Sequence, residues 1–266
     1  MIDTHCHLTY DGLYERVDQV VSHAIDAGVD RVITVGTTAA DSQKAVDLAN
    51  CYENVFATVG FHPHYADQCA DREMVGKIFT DLIAHDKVIA LGEMGLDLHY
   101  VDPPLDVQIR ALQWQLEWAR ELAPHLPIII HNREATNQTL SLLRDSNIPG
   151  PRFVFHCFTG TEGQLESILE FGAMVSFTGI VTFKNAAPLA ACAVVVPIDR
   201  LMIETDSPYL TPHPHRKVHP NEPCHVTHVA RFLADQRRMR LEDFVQVMDA
   251  NAQRFFSLKP PSGPRR

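Results

Sequence analysis

Residues 1–7 read MIDTHCH, a short run that ends in His5 and His7. On an extended segment, residues two apart project to the same side, so the two imidazoles face one direction. Other short apolar runs along the chain also end in His, Glu or Asp. This stretch therefore predicts the first strand of a repeating unit and, at its end, half of a metal site.

The unit repeats as an alternation of short β-branched runs and longer amphipathic stretches. Residues 105–122 and 164–171 are examples of the longer stretches, because their apolar positions recur at helical spacing and Gly172 supplies a helix stop. The eight predicted strands cover residues 2–7, 31–35, 56–60, 88–93, 127–131, 153–156, 173–177 and 201–205.

Eight strands, each followed by a helix and without a clear hairpin turn, predict a single-domain α/β fold, the (β/α)8 TIM barrel. An open doubly wound sheet is the alternative if one or two strand predictions are wrong. The length of 266 residues and a hydrophobic content of 45% fit one barrel with a large core. Helical patterns at 226–237 and 241–256 complete a predicted domain of residues 1–258, and residues 259–266 form a Pro-rich basic tail.

Composition narrows the cellular setting and the partners. The formal net charge of -10 gives no global attraction to a polyanion, so contact with nucleic acid would be local and groove-like. The six cysteines have no paired spacing, which disfavours a disulfide framework or a zinc finger and fits a reducing compartment. No leader precedes the first strand, and the longest apolar stretch, 186–198, is too short to span a bilayer. We therefore expect a cytoplasmic protein without membrane contact.

The chemistry of such a barrel lies at the carboxyl ends of its strands. A single histidine at a strand end is more often a hydrogen-bonded surface group than a ligand. Repetition on one face of the barrel makes coincidence a poor explanation and predicts a metal site. The residues at or just after the predicted strand ends are His5, His7, His62, His64, Glu93, Asp97, His131, His156, Glu204 and Asp206.

The number of these residues indicates more than one metal ion. Four imidazoles and two carboxylates exceed the roughly three protein ligands of one tetrahedral catalytic ion. We therefore expect two divalent ions, with Glu93 as a carboxylate that can bridge them at a separation of about 3.5 to 4 Å. The mixed nitrogen and oxygen donors suit zinc, manganese or iron, and magnesium less well. The predicted metal ligands are His5, His7, Glu93, His131, His156 and Asp206.

Seven sequence motifs resemble those of the TatD family of metal-dependent deoxyribonucleases. They occur over nearly the whole chain and in the family's order. Thr9 and Asn137 depart from the family pattern, and neither is a predicted metal ligand. The motifs are IDTHCH at 2–7, GFHPH at 60–64, GEMGLD at 92–97, PIIIHNR at 127–133, HCFTG at 156–160, ETDSP at 204–208 and NEP at 221–223.

The resemblance implies a branch of the amidohydrolase-like TIM barrels and a two-metal phosphodiesterase that acts on DNA, often as a 3′–5′ exonuclease. It also implies that residues 1–258 form a TatD-like hydrolase barrel. By the family's pattern, one ion is held by His5, His7, Glu93 and Asp206, and the other by Glu93, His131 and His156.

The residue types suggest a division of catalytic roles, stated here as a hypothesis. Asp206 is predicted to be both a ligand and the general base for a water, and Glu93 to complete the catalytic set. His62, a further catalytic candidate, and Arg133 are predicted to bind the phosphate, Arg133 through its bidentate fork. Glu204 points to the same side of its strand as Asp206, so it orients a ligand, binds an additional metal or contacts substrate. A buried charge paired with an arginine or a histidine is the alternative for Glu204.

Other residues near the predicted strand ends are weaker candidates. Asp97 and Glu222 lie in the motifs, but each fits a loop-capping carboxylate equally well. Phe61, Phe158 and Tyr209 are candidates for stacking on a base, although Phe158 fits packing between the barrel and a helix equally well. Loop residues that could rim the same mouth are His64, His213, His215, His219, Lys184, Arg216 and Lys217.

Three functions are compatible with these residues. The first is a nuclease that acts on DNA, with RNA as a second substrate. The second is an amidohydrolase-type enzyme that cleaves a C–N or ester bond of a small molecule, and the third is a non-catalytic metal-binding protein. Glu93 occupies the strand-four position and no lysine ends a predicted strand, which favours the nuclease over the amidohydrolase. No obligate protein partner is predicted.

Overall fold

The computed structural model describes residues 1–100 and 102–259. Residues 260–266, most of the predicted tail, lie outside the described residues, and the domain boundary at 258 stays a prediction. Within the described part, eight strands alternate with nine α-helices. The strands are β1 (Ile2–Cys6), β2 (Arg31–Thr34), β3 (Val55–Val59), β4 (Val88–Asp97), β5 (Ile128–Arg133), β6 (Phe153–Phe155), β7 (Met174–Phe177) and β8 (Leu201–Ile203). The helices are α1 (Val17–Asp26), α2 (Ala39–Cys51), α3 (Arg72–Ile83), α4 (Leu105–Glu121), α5 (Thr136–Asp145), α6 (Glu162–Phe171), α7 (Ala187–Val195), α8 (Val226–Gln236) and α9 (Leu241–Phe255).

The strands form one parallel sheet in chain order, from β1 to β8. The sheet returns on itself through a bridge between Cys6 and Ser207. The amide of His7 donates to the carbonyl of Ser207 at 2.7 Å, and the amide of Asp206 donates to the carbonyl of His5 at 2.9 Å. The predicted (β/α)8 barrel is therefore confirmed, and its closing contacts lie beside the first histidine pair.

Side-chain alternation along the strands builds the barrel interior in layers. An apolar layer nearer the amino ends of the strands includes Ile129, Val154, Met174 and Met202. Phe255 and Phe256, at the end of α9, pack against this layer. Two residues farther along the same four strands, the inward positions become polar. They are His131, His156, Ser176 and Glu204. The apolar layer thus forms a floor on which the polar groups are held.

Amphipathic helices cover the outside of the barrel. α4 buries Leu112, Leu116 and Ala119, which recur on one face at helical spacing. α6 begins with a capping box between Thr161 and Gln164 and ends at Gly172, whose φ of 97° lies in the left-handed region. Both helices agree with their predicted ranges to within two residues. Among the described residues, no helix combines the length and apolar content needed to cross a membrane.

β4 extends farther than predicted, to Asp97 instead of Glu93. Glycine usually weakens a strand interior, but here β4 stays paired with β5, with Gly95 opposite His131 and Asp97 opposite Arg133. A β carbon on Gly95 would collide with the carbonyl oxygen of His131, so glycine is what permits this close approach. The extension brings Asp97 to the edge of the barrel where His131 stands. The other predicted strands agree with the structure to within two residues at each end.

Candidate metal centre

A pocket of about 1020 Å³ opens at the carboxyl ends of the strands. It brings together residues that are far apart in the chain, because parallel strands of a barrel all end on one face. His5 is fully buried beneath the pocket. The other predicted site residues on its walls are His7, His62, Glu93, His131, Arg133, His156 and Asp206.

Glu93 lies at the centre of the site, with its side chain 2% exposed. Its Oε1 lies 2.6 Å from Nε2 of His156 and 2.7 Å from Nδ1 of His131. Its Oε2 lies 3.3 Å from Nε2 of His5 and 3.8 Å from Nε2 of His7. The two oxygens of one carboxylate therefore face two different pairs of imidazoles.

Asp206 joins the group on the Oε2 side of Glu93. Its Oδ1 lies 3.4 Å from Nε2 of His7 and 3.7 Å from Nε2 of His5. The backbone of Asp206 has a φ of 55°, in the left-handed region that aspartate enters more readily than most residues. Its amide donates to the His5 carbonyl, so the closure of the barrel holds the carboxylate beside the two histidines.

His62 approaches the Oε1 side of Glu93. It caps the 3-10 helix Pro63–Cys69, and its Nδ1 accepts a hydrogen bond from the amide of His64 at 3.1 Å. Burial and the nearby His131 lower the pKa of His62 well below its ordinary value, so the ring is neutral. With Nδ1 as the acceptor, Nε2 carries the proton. That nitrogen lies 3.2 Å from Nδ1 of His131 and 3.6 Å from Oε1 of Glu93, and it is a hydrogen-bond donor at the site.

The donor atoms fit a metal centre. Among the described residues, neither nitrogen of the buried His5 has a hydrogen-bond partner, and the same holds for Nδ1 of His7 and Nδ1 of His156. Unpaired buried polar atoms are costly, and here they cluster around a carboxylate. Ligand atoms within 4.8 Å of one another form three overlapping groups: His5, His7 and Asp206; His5, Glu93 and His156; and His62, Glu93 and His131.

The electrostatics of the cluster favour a cation. Burial raises the pKa of Glu93, but the charge of His156 and the hydrogen bonds with His131 and His156 hold that pKa well below its ordinary range, so the carboxylate is anionic. Burial and His156 lower the pKa of His5 and keep its ring neutral. Burial also lowers the pKa of His156, yet Glu93 and Glu204 raise it well above the ordinary value. A divalent cation would replace the proton that His156 carries.

Asp97 contacts the ring nitrogen of His131 that does not face Glu93. Its Oδ2 lies 3.0 Å from Nε2 of His131 and 3.1 Å from Nε2 of His64. Burial raises the pKa of Asp97, but the hydrogen bond with His131 and the amide of Tyr100 hold that pKa far below the ordinary value. Asp97 was predicted either to contribute to the site or to cap a loop. Its contacts with His131 and His64 favour a contribution to the site. Sequence patterns predicted His64 only as a loop residue at the mouth and did not predict its contact with Asp97.

Glu204 lies beneath the pocket instead of on its wall, and it is 1% exposed. Its Oε1 accepts from the amide of Cys157 at 2.7 Å, and its Oε2 accepts from the hydroxyl of Ser176 at 2.7 Å. Oε1 also lies 3.5 Å from Nδ1 of His156. This position does not support the predicted contact with substrate, because the carboxylate is enclosed by protein. The position of Glu204 beside Nδ1 of His156 instead favours the predicted role in which Glu204 orients a ligand.

Arg133 is on the wall of the pocket, as predicted for a phosphate contact. It is the one lysine or arginine among the described lining residues. Its guanidinium lies 5.1 Å from the ring centroid of Tyr100. Within the described part of the chain, no carboxylate forms an ion pair with it, so its donors are available for an anion.

The weaker candidates divide into those at the pocket and those away from it. Phe61 and Phe158 are 2% and 4% exposed and pack in the core, so the structure shows the packing alternative for Phe158, and neither ring is open to stack on a base. Tyr209 lines the pocket. Of the described loop candidates, His64 lines it, whereas His213, His215, His219, Lys184, Arg216 and Lys217 do not. Glu222 is paired outside the pocket with Arg16 and His23.

Three lining tyrosines were missed by the sequence reasoning. Tyr10, Tyr65 and Tyr100 each stand within a few residues after a strand end, which is the signal that could have identified them. Periodicity does not indicate which loop residues turn inward, because loops have no repeating side-chain direction.

Comparison with known proteins agrees with these observations along the chain. The family model described as TatD related DNase matches residues 2–257. The Bacillus subtilis protein named uncharacterized metal-dependent hydrolase YabD is 35% identical over 258 residues, which cover 97% of this chain and 99% of the relative. The Erwinia billingiae protein named 3′-5′ ssDNA/RNA exonuclease TatD is 35% identical over 263 residues, which cover 97% of this chain and 99% of the relative.

A solved structure is similar over the same extent. The crystal structure of YJJV, a TatD homolog from Escherichia coli K12, superimposes with a TM-score of 0.89 at 26% sequence identity. The match covers 97% of this chain and 98% of that one. The similarity therefore includes the whole barrel and every strand end that contributes to the pocket.

Proposed function

Because this chain belongs to the TatD-related DNase family and is a metal-dependent hydrolase, we propose that it cleaves phosphodiester bonds of DNA as a 3′–5′ exonuclease with two divalent metal ions. RNA is a second substrate in this proposal, since three relatives are named as ssDNA/RNA exonucleases. The observation that carries the two-ion proposal is the carboxylate of Glu93, whose oxygens face separate groups of ligands.

The two groups divide the proposed ligands as follows. His5, His7 and Asp206 would hold one ion with Oε2 of Glu93, and His131 and His156 would hold the other with Oε1. When bound, such ions lower the pKa of a water and stabilise negative charge on phosphoryl and leaving oxygens. The nitrogen and oxygen donors fit zinc or manganese, with magnesium as the harder alternative.

Asp206 is the proposed general base. Its side chain is 14% exposed and lines the pocket, so water there can reach it. Burial raises the pKa of Asp206, but the hydrogen bond with His7 and the charge of the protonated His156 bring that pKa below the ordinary value. The carboxylate is therefore anionic at neutral pH and can accept a proton from the attacking water.

His62 and Arg133 are the proposed phosphate contacts. The Nε2–H of the neutral His62 is directed to the Glu93 side of the site, where it can donate to a phosphoryl oxygen. The planar guanidinium of Arg133 can donate two parallel hydrogen bonds to the same phosphate. Since Arg133 is the one such cation among the described lining residues, the pocket suits the end of a strand better than a long duplex.

A cleavage panel tests the proposal. We expect purified protein with Mg²⁺ or Mn²⁺ to shorten 5′-labelled single-stranded DNA from its 3′ end, and EDTA to abolish cleavage. Asp206→Asn should lower the rate by at least about 100-fold because the general base is lost. Asp235→Asn is the matched control, since Asp235 is exposed on α8 outside the pocket.

Three outcomes of this panel oppose the proposal. They are full activity of Asp206→Asn, cleavage that persists in EDTA, and internal cuts without a 3′ ladder. If neither DNA nor RNA is cut while small amide or ester substrates are hydrolysed, the amidohydrolase alternative replaces the nuclease.

A further inference from the structure

The mouth of the pocket is unusually rich in exposed aromatic rings. Of the described residues, no phenylalanine or tryptophan is highly exposed, and four tyrosines are. Three of these four line the pocket: Tyr65, Tyr100 and Tyr209, at 38%, 51% and 53% exposure. The fourth, Tyr14, lies elsewhere, with the Nζ of Lys44 3.6 Å from its ring centroid.

The three tyrosines come from different parts of the barrel. Tyr65 is in the 3-10 helix Pro63–Cys69 after β3, Tyr100 follows β4, and Tyr209 follows β8. Tyr10, which follows β1, also lines the pocket but is less exposed than these three. Its ring stacks on His7 at a centroid distance of 4.6 Å and meets the Tyr209 ring edge-on at 6.3 Å. The rings therefore surround the metal centre from several sides. We call Tyr65, Tyr100 and Tyr209 the tyrosine rim.

Electrostatics alone gives this pocket a weak hold on a polyanion. The whole chain has a formal net charge of -10, and the described pocket wall includes one guanidinium and the carboxylates of Asp97, Asp102 and Glu134. Aromatic side chains hold single strands by a different force, because every base has a face that stacks on an exposed ring. Such stacking requires bases that are not enclosed in a duplex.

We infer that the tyrosine rim is a stacking site for the unpaired bases that flank the phosphate to be cleaved. This inference rests on the proposed nuclease function and deepens it, since it assigns the choice of single strands to three side chains. Arg133, 5.1 Å from the ring centroid of Tyr100, places a phosphate contact next to a stacking surface. The rim accepts all four bases, because ring faces carry no hydrogen-bond code.

The test removes the bases from the DNA strand in one comparison and the tyrosine rings from the protein in the other. Single-stranded DNA is compared with the same strand whose last two 3′ nucleotides are abasic. For wild type, we expect the KM of the abasic strand to be about tenfold higher, because stacking is lost. Tyr209→Ala and Tyr100→Ala should raise the KM of the intact strand by about tenfold and leave that of the abasic strand unchanged.

Three further variants separate stacking from other roles. Tyr209→Phe and Tyr100→Phe keep a ring and should retain the wild-type preference for the intact strand. Tyr14→Ala removes an exposed tyrosine outside the pocket and should behave like wild type. The inference is overturned if the alanine variants weaken both strands equally, or if wild type does not distinguish the two strands.

A binding measurement separates failure of this inference from failure of the proposed function. The anisotropy of labelled intact and abasic strands is measured with the same proteins in EDTA, where no cleavage occurs. If no strand is hydrolysed with metal, a tyrosine-dependent preference for the intact strand in EDTA still supports the rim. If hydrolysis occurs but binding and KM change neither in Tyr100→Ala and Tyr209→Ala nor in Tyr65→Ala, the rim is wrong and the nuclease stands.

Discussion

Nε2 of His131 lies 3.0 Å from Oδ2 of Asp97, while the other nitrogen of the ring, Nδ1, lies 2.7 Å from Oε1 of Glu93. An imidazole that donates Nε2–H to a carboxylate keeps Nδ1 available as a ligand. Asp97 is itself fixed, because the amides of His99 and Tyr100 donate to its Oδ1 at 2.9 and 3.0 Å. Asp97 therefore sets the direction in which His131 presents its lone pair.

Replacement of Asp97 should weaken the metal centre without unfolding the barrel. Loss of a carboxylate behind a ligating histidine typically lowers metal affinity by about 10- to 100-fold. We expect this loss for Asp97→Asn when Mn²⁺ binding is measured by calorimetry. Asp106→Asn, an exposed position on α4, is the control and should bind like wild type. Equal affinity in the two variants would show that Asp97 does not orient His131.

Glu204 offers a way to separate orientation from substrate binding. Because its carboxylate is enclosed and faces Nδ1 of His156, Glu204→Gln should lower kcat and metal affinity while the KM of the strand stays unchanged. Steady-state kinetics at saturating metal give both constants. A raised KM with an unchanged kcat would instead support the direct contact with substrate that the sequence suggested.

Metal affinity should rise with pH. Neighbouring carboxylates raise the pKa of His131 and His156 against the effect of burial, so both rings carry protons at lower pH and compete with a cation. Affinity should therefore fall as the pH drops through and below the raised pKa values, and level off above them. Calorimetry in two buffers of different ionisation enthalpy should detect proton release at pH 7. Binding without proton release would contradict this protonation pattern.

Glu222 is predicted to contribute to stability instead of chemistry. Its carboxylate accepts from Nη1 of Arg16 at 2.7 Å and lies 2.8 Å from Nδ1 of His23, which ties α1 to the segment before α8. Burial raises the pKa of Glu222, but His23 and Arg16 bring it below the ordinary value. A lowered folded-state pKa stabilises the protein above the unfolded value of about 4.3 and loses this contribution as the pH falls.

We therefore expect Glu222→Gln to lower the free energy of unfolding by about 1 to 2 kcal/mol at pH 7, since Arg16 and His23 are partly solvated. The difference should shrink toward pH 3. Urea unfolding at both pH values measures it, with Glu166→Gln on the exposed face of α6 as the control. A difference that does not depend on pH would mean that the charge of Glu222 is not the cause.

The barrel and its candidate ligands were accessible from the sequence for a physical reason. Strand ends are marked by the place where an apolar run stops, and a parallel barrel gathers all such ends on one face. His5 and Asp206 are about two hundred residues apart, yet the contact between β8 and β1 follows from the predicted topology. Pattern reasoning was therefore sufficient to predict which side chains meet.

The contacts behind and around the ligands were not accessible in the same way. Asp97 was ambiguous because it lies beyond the predicted end of β4 at residue 93, whereas Gly95 lets β4 and β5 stay paired up to Asp97. Phe61 and Phe158 stand beside strand ends like the lining tyrosines do, but their rings turn into the core. Which way a residue turns after its strand depends on local packing, and sequence period carries no information about it.

The most direct test of the account is an anomalous-scattering map of crystals soaked in Mn²⁺. The proposed bridging role of Glu93 predicts two peaks per chain, one on each side of its carboxylate, about 3.5 to 4 Å apart. One peak should lie among His5, His7 and Asp206, and the other beside His131 and His156. A single peak at saturating Mn²⁺, or two peaks that do not share Glu93, would contradict the two-ion centre.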